Sequence, residues 1–357
     1  NWGIGDYTDA GAMAEQAAKL GAGVLGLNPL HAMFPADPNH NSPYSPGNRG
    51  FLNTLYIDVS GLPELEHCAE ARQLIAGEDF QQRLQAVREA SLVNYAAVSD
   101  LKMPVLELLF QSARTVQGQR WDGFLLFQRE MDDALVRQAT FDALHEHFFK
   151  GQGKWMWQEW PEAFRDPEGE AVARFREENA ERIEFFQWLQ WLADDQLATA
   201  AHRARTAGMP IGFYRDLAVA NHPGGAAAWY AQSLIVQGAN VGSPPDMFSP
   251  DGQNWGLAPL SPIGLIETAY ESFIQGLRAN MRHAGAIRID HVMALQHLFW
   301  IPSRPDHEGG AYVTYPVRDM VRIIALESRR NRCLVIGEDL GTVPEGFRPA
   351  MQEACIL

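Results

Sequence analysis

Two strings in the last third of the chain carry the residue types of nucleophilic and acid–base chemistry. The first is Arg288-Ile289-Asp290-His291. Arg288 and Asp290 stand two apart, so on a strand they point to one face. A guanidinium beside a carboxylate favours its ionised form, and an ionised carboxylate can act as a nucleophile. The same spacing also fits a structural ion pair at a strand end. The second string is Gly337-Glu338-Asp339-Leu340-Gly341, two acids delivered into a glycine-flanked turn. Asp339 suits the N-cap of a following helix, which leaves Glu338 to face a site. Carboxylates from neighbouring strand ends can stand about 5–5.5 Å apart, the separation used for double displacement at a glycosidic bond. Tyr44, Gln253, Trp255, His291 and Trp300 add rings and an amide of the kind that hold sugars. Each taken singly also fits ordinary packing.

These residues need a scaffold, and the apolar pattern indicates one. Short apolar runs at 24–27, 210–214, 285–290 and 333–339 read as strands, the first buried on both faces. Helical patterns cover 9–19 (capped by Asp9), 262–283 and 317–330. Strands alternating with helices imply parallel βα units, and a (β/α)8 barrel places its chemistry at strand C-termini. The stretch 28–53 is a loop long enough to be functional, and 215–256 is a second Gly/Pro/Asn-rich loop. Between them the texture is helical. Leu74, Phe80, Leu84 and Val87 share a face, as do Phe124, Phe127, Met131 and Leu135, and Phe185, Trp188, Leu189 and Leu192. Breaks fall near 151–154 and 166–169. Three segments follow: barrel 1–60, helical insertion 61–206, barrel 207–357.

Composition narrows the partners. Among 357 residues, 29 Lys and Arg face 44 Asp and Glu, a net charge of −15. Such a chain repels phosphate backbones and anionic surfaces, so neither nucleic acid nor membrane is expected. Cys68, Cys333 and Cys355 lie far apart with no C-x-x-C pair, which argues against zinc and fits a reducing, cytoplasmic compartment. No metal and no cofactor is expected. Gly3-Ile4-Gly5 lacks the preceding strand and third glycine of a nucleotide loop. His145-Glu146-His147 sits in a helical stretch, where alternate residues do not share a face. The chain opens at Asn1-Trp2-Gly3 and stops at Cys355-Ile356-Leu357, and reads as part of a longer protein whose other segments are its partners.

The motifs resemble glycoside hydrolase family 77, the 4-α-glucanotransferases or amylomaltases of the α-amylase clan, in the bacterial type with a long helical insertion. The resemblance rests on Trp2-Gly3-Ile4-Gly5-Asp6, Ser42-Pro43-Tyr44-Ser45-Pro46 and Asn53-Thr54-Leu55-Tyr56-Ile57-Asp58, where the family more often has Pro at position 54. It continues through Tyr214-Arg215-Asp216-Leu217-Ala218-Val219, Gly242-Ser243-Pro244-Pro245-Asp246 and Gly252-Gln253-Asn254-Trp255-Gly256, and ends on the two acidic strings. It implies an α/β fold, a (β/α)8 TIM barrel represented here by about strands two to five. It implies Asp290 as nucleophile, Arg288 as its support and Glu338 as general acid/base. It matches Asp216 to the clan's early active-site Asp, and Tyr44, Asp246, Gln253, Trp255 and His291 to the sugar subsites. The substrates implied are α-1,4-glucans, maltooligosaccharides acting as donor and acceptor. The clan's third carboxylate is expected beyond Leu357, so these 357 residues alone are expected to be inactive. An α-glucan hydrolase on the same barrel, a non-catalytic glucan-binding fragment and a scaffold role for the acidic helical insertion remain open alternatives.

Overall fold

The computed structural model describes residues 1–247, 249–304 and 309–357. Its contacts divide the chain into two compact units interleaved along the sequence. One holds Asn1–Leu20, Met33–Asn41 and Leu52–Ala207; the other holds Gly21–Ala32, Ser42–Phe51 and Gly208–Leu357.

The first unit is helical. Helix α1 (Tyr7–Lys19) starts at Asp6, not at the expected Asp9. Asp6 accepts from the Asp9 amide at 2.8 Å while the Asp9 carboxylate accepts from the Asp6 amide at 3.2 Å, a reciprocal capping box. Seven helices follow: α2 (Glu64–His67), α3 (Ala69–Ala76), α4 (Glu78–Glu89), α5 (Tyr95–Val116), α6 (Gln119–Gln152), α7 (Glu170–Glu178) and α8 (Ala180–Thr206). Phe80, Leu84 and Val87 are buried on α4, but Leu74 belongs to α3 and is 37% exposed, because the chain turns at Gly77. In α6, Asp132 has φ 45° and ψ −139°, so Phe124 and Phe127 lie on one side of a kink and Leu135 on the other. Gly153, at φ 69°, closes that helix in the left-handed conformation that glycine takes without strain. Helix α8 buries Phe185, Trp188, Leu189 and Leu192. It packs along α1, where Arg203 forks onto Glu15 at 2.7 and 2.9 Å.

The second unit carries the strands: β1 (Val24–Gly26), β2 (His31–Ala32), β3 (Asn48–Leu52), β4 (Gly212–Leu217), β5 (Ala239–Ser243), β6 (Gln253–Leu257), β7 (Ala286–Ile289), β8 (His297–Pro302), β9 (Ala311–Thr314) and β10 (Leu334–Gly337). Strands β1, β4, β7 and β10 form a parallel sheet in that order. Val24 on β1 is 40% exposed, against the expected two-sided burial, because β1 is an outer strand with β4 as its neighbour in the sheet. Two short strands, β2 and β3, form a ribbon inside the expected loop 28–53.

The crossovers contain more than helices. Between β4 and β7 run α9 (Ala226–Tyr230), β5, β6, α10 (Pro262–Glu267) and α11 (Glu271–Met281). The last two replace the single helix expected over 262–283, since Ala269 and Tyr270 take φ 50° and 62° between them. Between β7 and β10 run β8, β9 and α12 (Val317–Asn331), and α13 (Phe347–Glu353) follows β10. The two excursions pair into an antiparallel sheet, β6-β5-β8-β9, so the supposed loop 215–256 holds half of a sheet. Ile287 and Ile289 of β7 and Val335 of β10 are buried with Leu277 of α11 and Ile324 of α12. That core fixes the strand ends. Among the described residues, no helix is long and apolar enough to cross a membrane.

Candidate active site

The site is built by strand register. In the parallel sheet Asp216 of β4 stands beside Arg288 of β7, and Gly337 of β10 stands beside Ile289. Glu338, one residue past that pair, therefore comes level with Asp290. Arg288 joins the acids. Its Nη1 donates to Asp216 at 2.7 and 2.8 Å and lies 2.9 Å from Asp290 Oδ1, while its Nη2 lies 3.8 Å from Glu338 Oε2. The Glu338 carboxylate is held by the backbone as well. It accepts from the amide of His291 at 2.9 Å and from that of Leu340 at 2.6 Å. Gly337 makes this approach possible, since a Cβ there would fall 2.9 Å from a Val292 methyl. Asp216 also accepts from the Tyr44 hydroxyl at 2.9 Å.

The electrostatics differ from the sequence expectation. Arg288 was expected to keep Asp290 readily ionised. Burial instead pushes the Asp290 carboxyl above its ordinary value; Arg288 opposes this, and the charges of Asp216 and Glu338 add to it. Burial thus outweighs Arg288, whose guanidinium also gives two hydrogen bonds to Asp216. Burial alone would lower Arg288, but Asp216 and Asp290 more than offset it and hold the cation above its usual range. Tyr44 is pushed up to about 12 by burial and by its bond to Asp216. Burial lowers His291, with Glu338 opposing.

Asp290 and Glu338 open onto a cavity of about 500 Å³, whose lining also includes Tyr44, Asp246, Gln253, Trp255 and His291. Arg288 and Asp216 are not part of that lining; they meet it through Asp290 and Tyr44. The Trp255 ring stands edge-on to His291 at 5.2 Å, and its Nε1 donates to Gln253 at 3.0 Å. Asp246 accepts from the Ser249 amide at 2.6 Å. Trp300 is not part of this group, because it packs on the core from the other face of β8. Nor does Asp339 cap a helix. It pairs with Arg348 at 2.6 Å, and α13 begins after Gly346. The sequence reading missed His297, Phe299 and Tyr312, which also line the cavity. The short apolar run Leu298–Ile301 was the available signal of a strand. Among the described residues, no group of three or more His, Cys, Asp or Glu is arranged to hold a metal ion.

Residues 1–357 match the model of glycoside hydrolase family 77, 4-alpha-glucanotransferase. The 4-alpha-glucanotransferase of Haemophilus influenzae is 39% identical over 99% of this chain and 52% of its own length. That of Mycobacterium tuberculosis is 38% identical over 98% of this chain and 48% of its own. The chain thus spans about half the length of these curated relatives. The crystal structure of amylomaltase from Corynebacterium glutamicum superposes with a TM-score of 0.86 at 34% identity, covering 100% of this chain and 48% of that one. An amylomaltase from Streptococcus agalactiae, solved in complex with acarbose, gives 0.81 at 22% identity over 99% and 69% of the two chains, a likeness of fold. The four parallel strands are accordingly those of an α/β barrel of the amylomaltase kind, and the chain belongs to glycoside hydrolase family 77, the 4-alpha-glucanotransferase family.

Proposed function

We propose that the chain carries the catalytic pair of a retaining 4-α-glucanotransferase that moves α-1,4-glucan segments between maltooligosaccharides. In this reading Asp290 attacks the anomeric carbon while Glu338 protonates the departing glycosidic oxygen. A glucosyl ester of Asp290 forms and the shortened glucan leaves. Glu338, now a base, takes the proton from the 4-hydroxyl of an acceptor glucan, whose oxygen displaces Asp290. The observation that carries the reading is one guanidinium in contact with Asp216, Asp290 and Glu338 at the edge of a cavity.

The raised Asp290 value supports the nucleophile role. Its negative charge is destabilised by burial and by two neighbouring acids, and ester formation removes it. Tyr44 and Asp216 then act as a hydrogen-bonded unit beside the reacting sugar, and Trp255 and His291 supply ring faces. Three free cysteines, two of them buried, fit a reducing cytoplasmic setting.

The test uses the full-length protein and maltotriose. Transfer yields glucose together with a ladder of longer oligosaccharides, whereas hydrolysis yields only shorter ones. Asp290→Ala is expected to abolish the ladder while maltooligosaccharide binding stays measurable. A ladder made by the variant at the parent rate removes Asp290 from the nucleophile role.

A further inference from the structure

The antiparallel sheet turns one face to the cavity, and that face carries three rings with no part in the chemistry above. Alternation along β8 sends His297 and Phe299 to the cavity while Leu298 and Trp300 pack on the core. Register places Phe299 between Gly242 of β5 and Tyr312 of β9. Tyr312 is 43% exposed. Its ring is backed by His297, stacked at 4.2 Å with 29° between planes, and is met edge-on by Phe299 at 5.3 Å.

Two glycines shape this surface. A Cβ on Gly310 would fall 2.7 Å from the Phe299 ring, so the ring lies against the backbone of that residue. A Cβ on Gly242 would fall 2.0 Å from the Gln253 carbonyl, and its absence leaves bare backbone as part of the cavity floor. Burial lowers the His297 imidazole below its ordinary value, so a neutral ring underlies Tyr312 at neutral pH.

A fixed, half-open aromatic ring on a cavity wall suits the apolar face of a pyranose. Its place in the sheet says which sugar. Trp255 on β6 touches His291, the residue after Asp290. Strand β9 lies three strand spacings away in the order β6-β5-β8-β9, about 14 Å along the sheet. We infer that Tyr312, backed by His297 and flanked by Phe299, is a binding platform for a glucose unit remote from the scissile bond, so that the site favours longer α-1,4-glucans. This rests on the transferase reading above, because it takes the ligand to be a glucan.

The test is calorimetric titration of the full-length protein carrying Asp290→Ala, which prevents turnover, with maltotriose and with maltoheptaose. Tyr312→Ala is expected to weaken maltoheptaose binding about three- to tenfold, the scale of one aromatic contact, and to leave maltotriose nearly unchanged. Tyr312→Phe, which keeps the ring, is expected to bind maltoheptaose like the parent. Unchanged maltoheptaose affinity in Tyr312→Ala, or an equal loss for both sugars, overturns the platform and leaves the transferase reading intact. If the Asp290→Ala parent binds neither sugar, both inferences fall together.

Discussion

Buried ionisable groups occur in both units, and the contrast between them separates a site from a core. In the strand unit, Asp216, Asp290 and Glu338 share one guanidinium, and Asp290 and Glu338 open onto a cavity, the Asp290 side chain 20% exposed. In the helical unit, burial pushes Asp142 up to about 7, and both its oxygens accept from Gln138 at 3.1 Å. His145, one turn on, is pushed down to about 4 by burial and lies against Phe141 and Phe149 at 5.8 and 5.6 Å. Lys102 is pushed down to about 8 by burial, its Nζ donating to the Leu55 and Ile57 carbonyls at 2.7 and 2.8 Å. In these three, as in Asp290, burial is the main cause of the shift. Each is enclosed and engaged by its own neighbours, with 4% or less of its surface exposed. A shifted pKa therefore reports burial; chemistry needs shifted groups that also converge on an opening.

The contrast can be broken first at Arg288. Replacing it with Met leaves three neighbouring carboxylates without their shared cation. Removing one electrostatic partner of a reacting centre costs about a hundred- to thousandfold in rate, so transfer by the full-length protein, measured as kcat/KM, is expected to fall by that order. The pH profile gives a second readout. Arg288 lowers the Asp290 value, so its loss raises it further, and the acid-side fall in activity is expected to begin at a higher pH than in the parent. A variant with parent-like rate and profile would show that the guanidinium is structural. A smaller effect is expected at Tyr44. Tyr44→Phe removes one bond to a charged acceptor, Asp216, and kcat/KM is expected to drop roughly tenfold. A loss confined to KM would place the hydroxyl in sugar binding; a loss in kcat would tie it to the reacting group.

The parts of this contrast were unequally visible in the sequence. The ends of β7 and β10 were legible, because a short apolar run that stops abruptly at charged residues is the pattern of a buried strand reaching the surface of a site. The Arg288–Asp290 pairing followed from a spacing of two. The stronger Arg288–Asp216 pairing did not, since it spans 72 residues and exists only through the register of β4 on β7. The antiparallel sheet was hidden for a different reason. Its strands are four to six residues long, β5 and β6 meet across a register shift at Val241/Gly242, and Gly and Pro punctuate the intervening chain as they would a loop. The Tyr312 platform was lost with it. The kink at Asp132 left no trace because heptad-like spacing runs through it, and the exposure of β1 depends on which strands flank it rather than on its composition.

The gentlest test of the contrast is at Asp142. Its folded value of about 7 lies above the ordinary 3.8, so the native state holds the proton more tightly than the unfolded chain does. Between those two values the unfolded state releases its proton first, and stability falls as pH rises; above about 7 the cost is constant. Asp142→Asn keeps a carbonyl to accept from Gln138 and removes the ionisation. The variant is therefore expected to melt a few degrees above the parent at pH 8, with a smaller gain at pH 5. His145 and Lys102 titrate in both proteins, so the difference between the two melting curves isolates Asp142. Transfer activity of the same variant is expected to stay within about twofold of the parent, as for substitutions away from a site's chemistry. A loss of activity without a loss of stability would make this enclosed acid part of the machinery, and the opening onto a cavity would cease to be what distinguishes the two clusters.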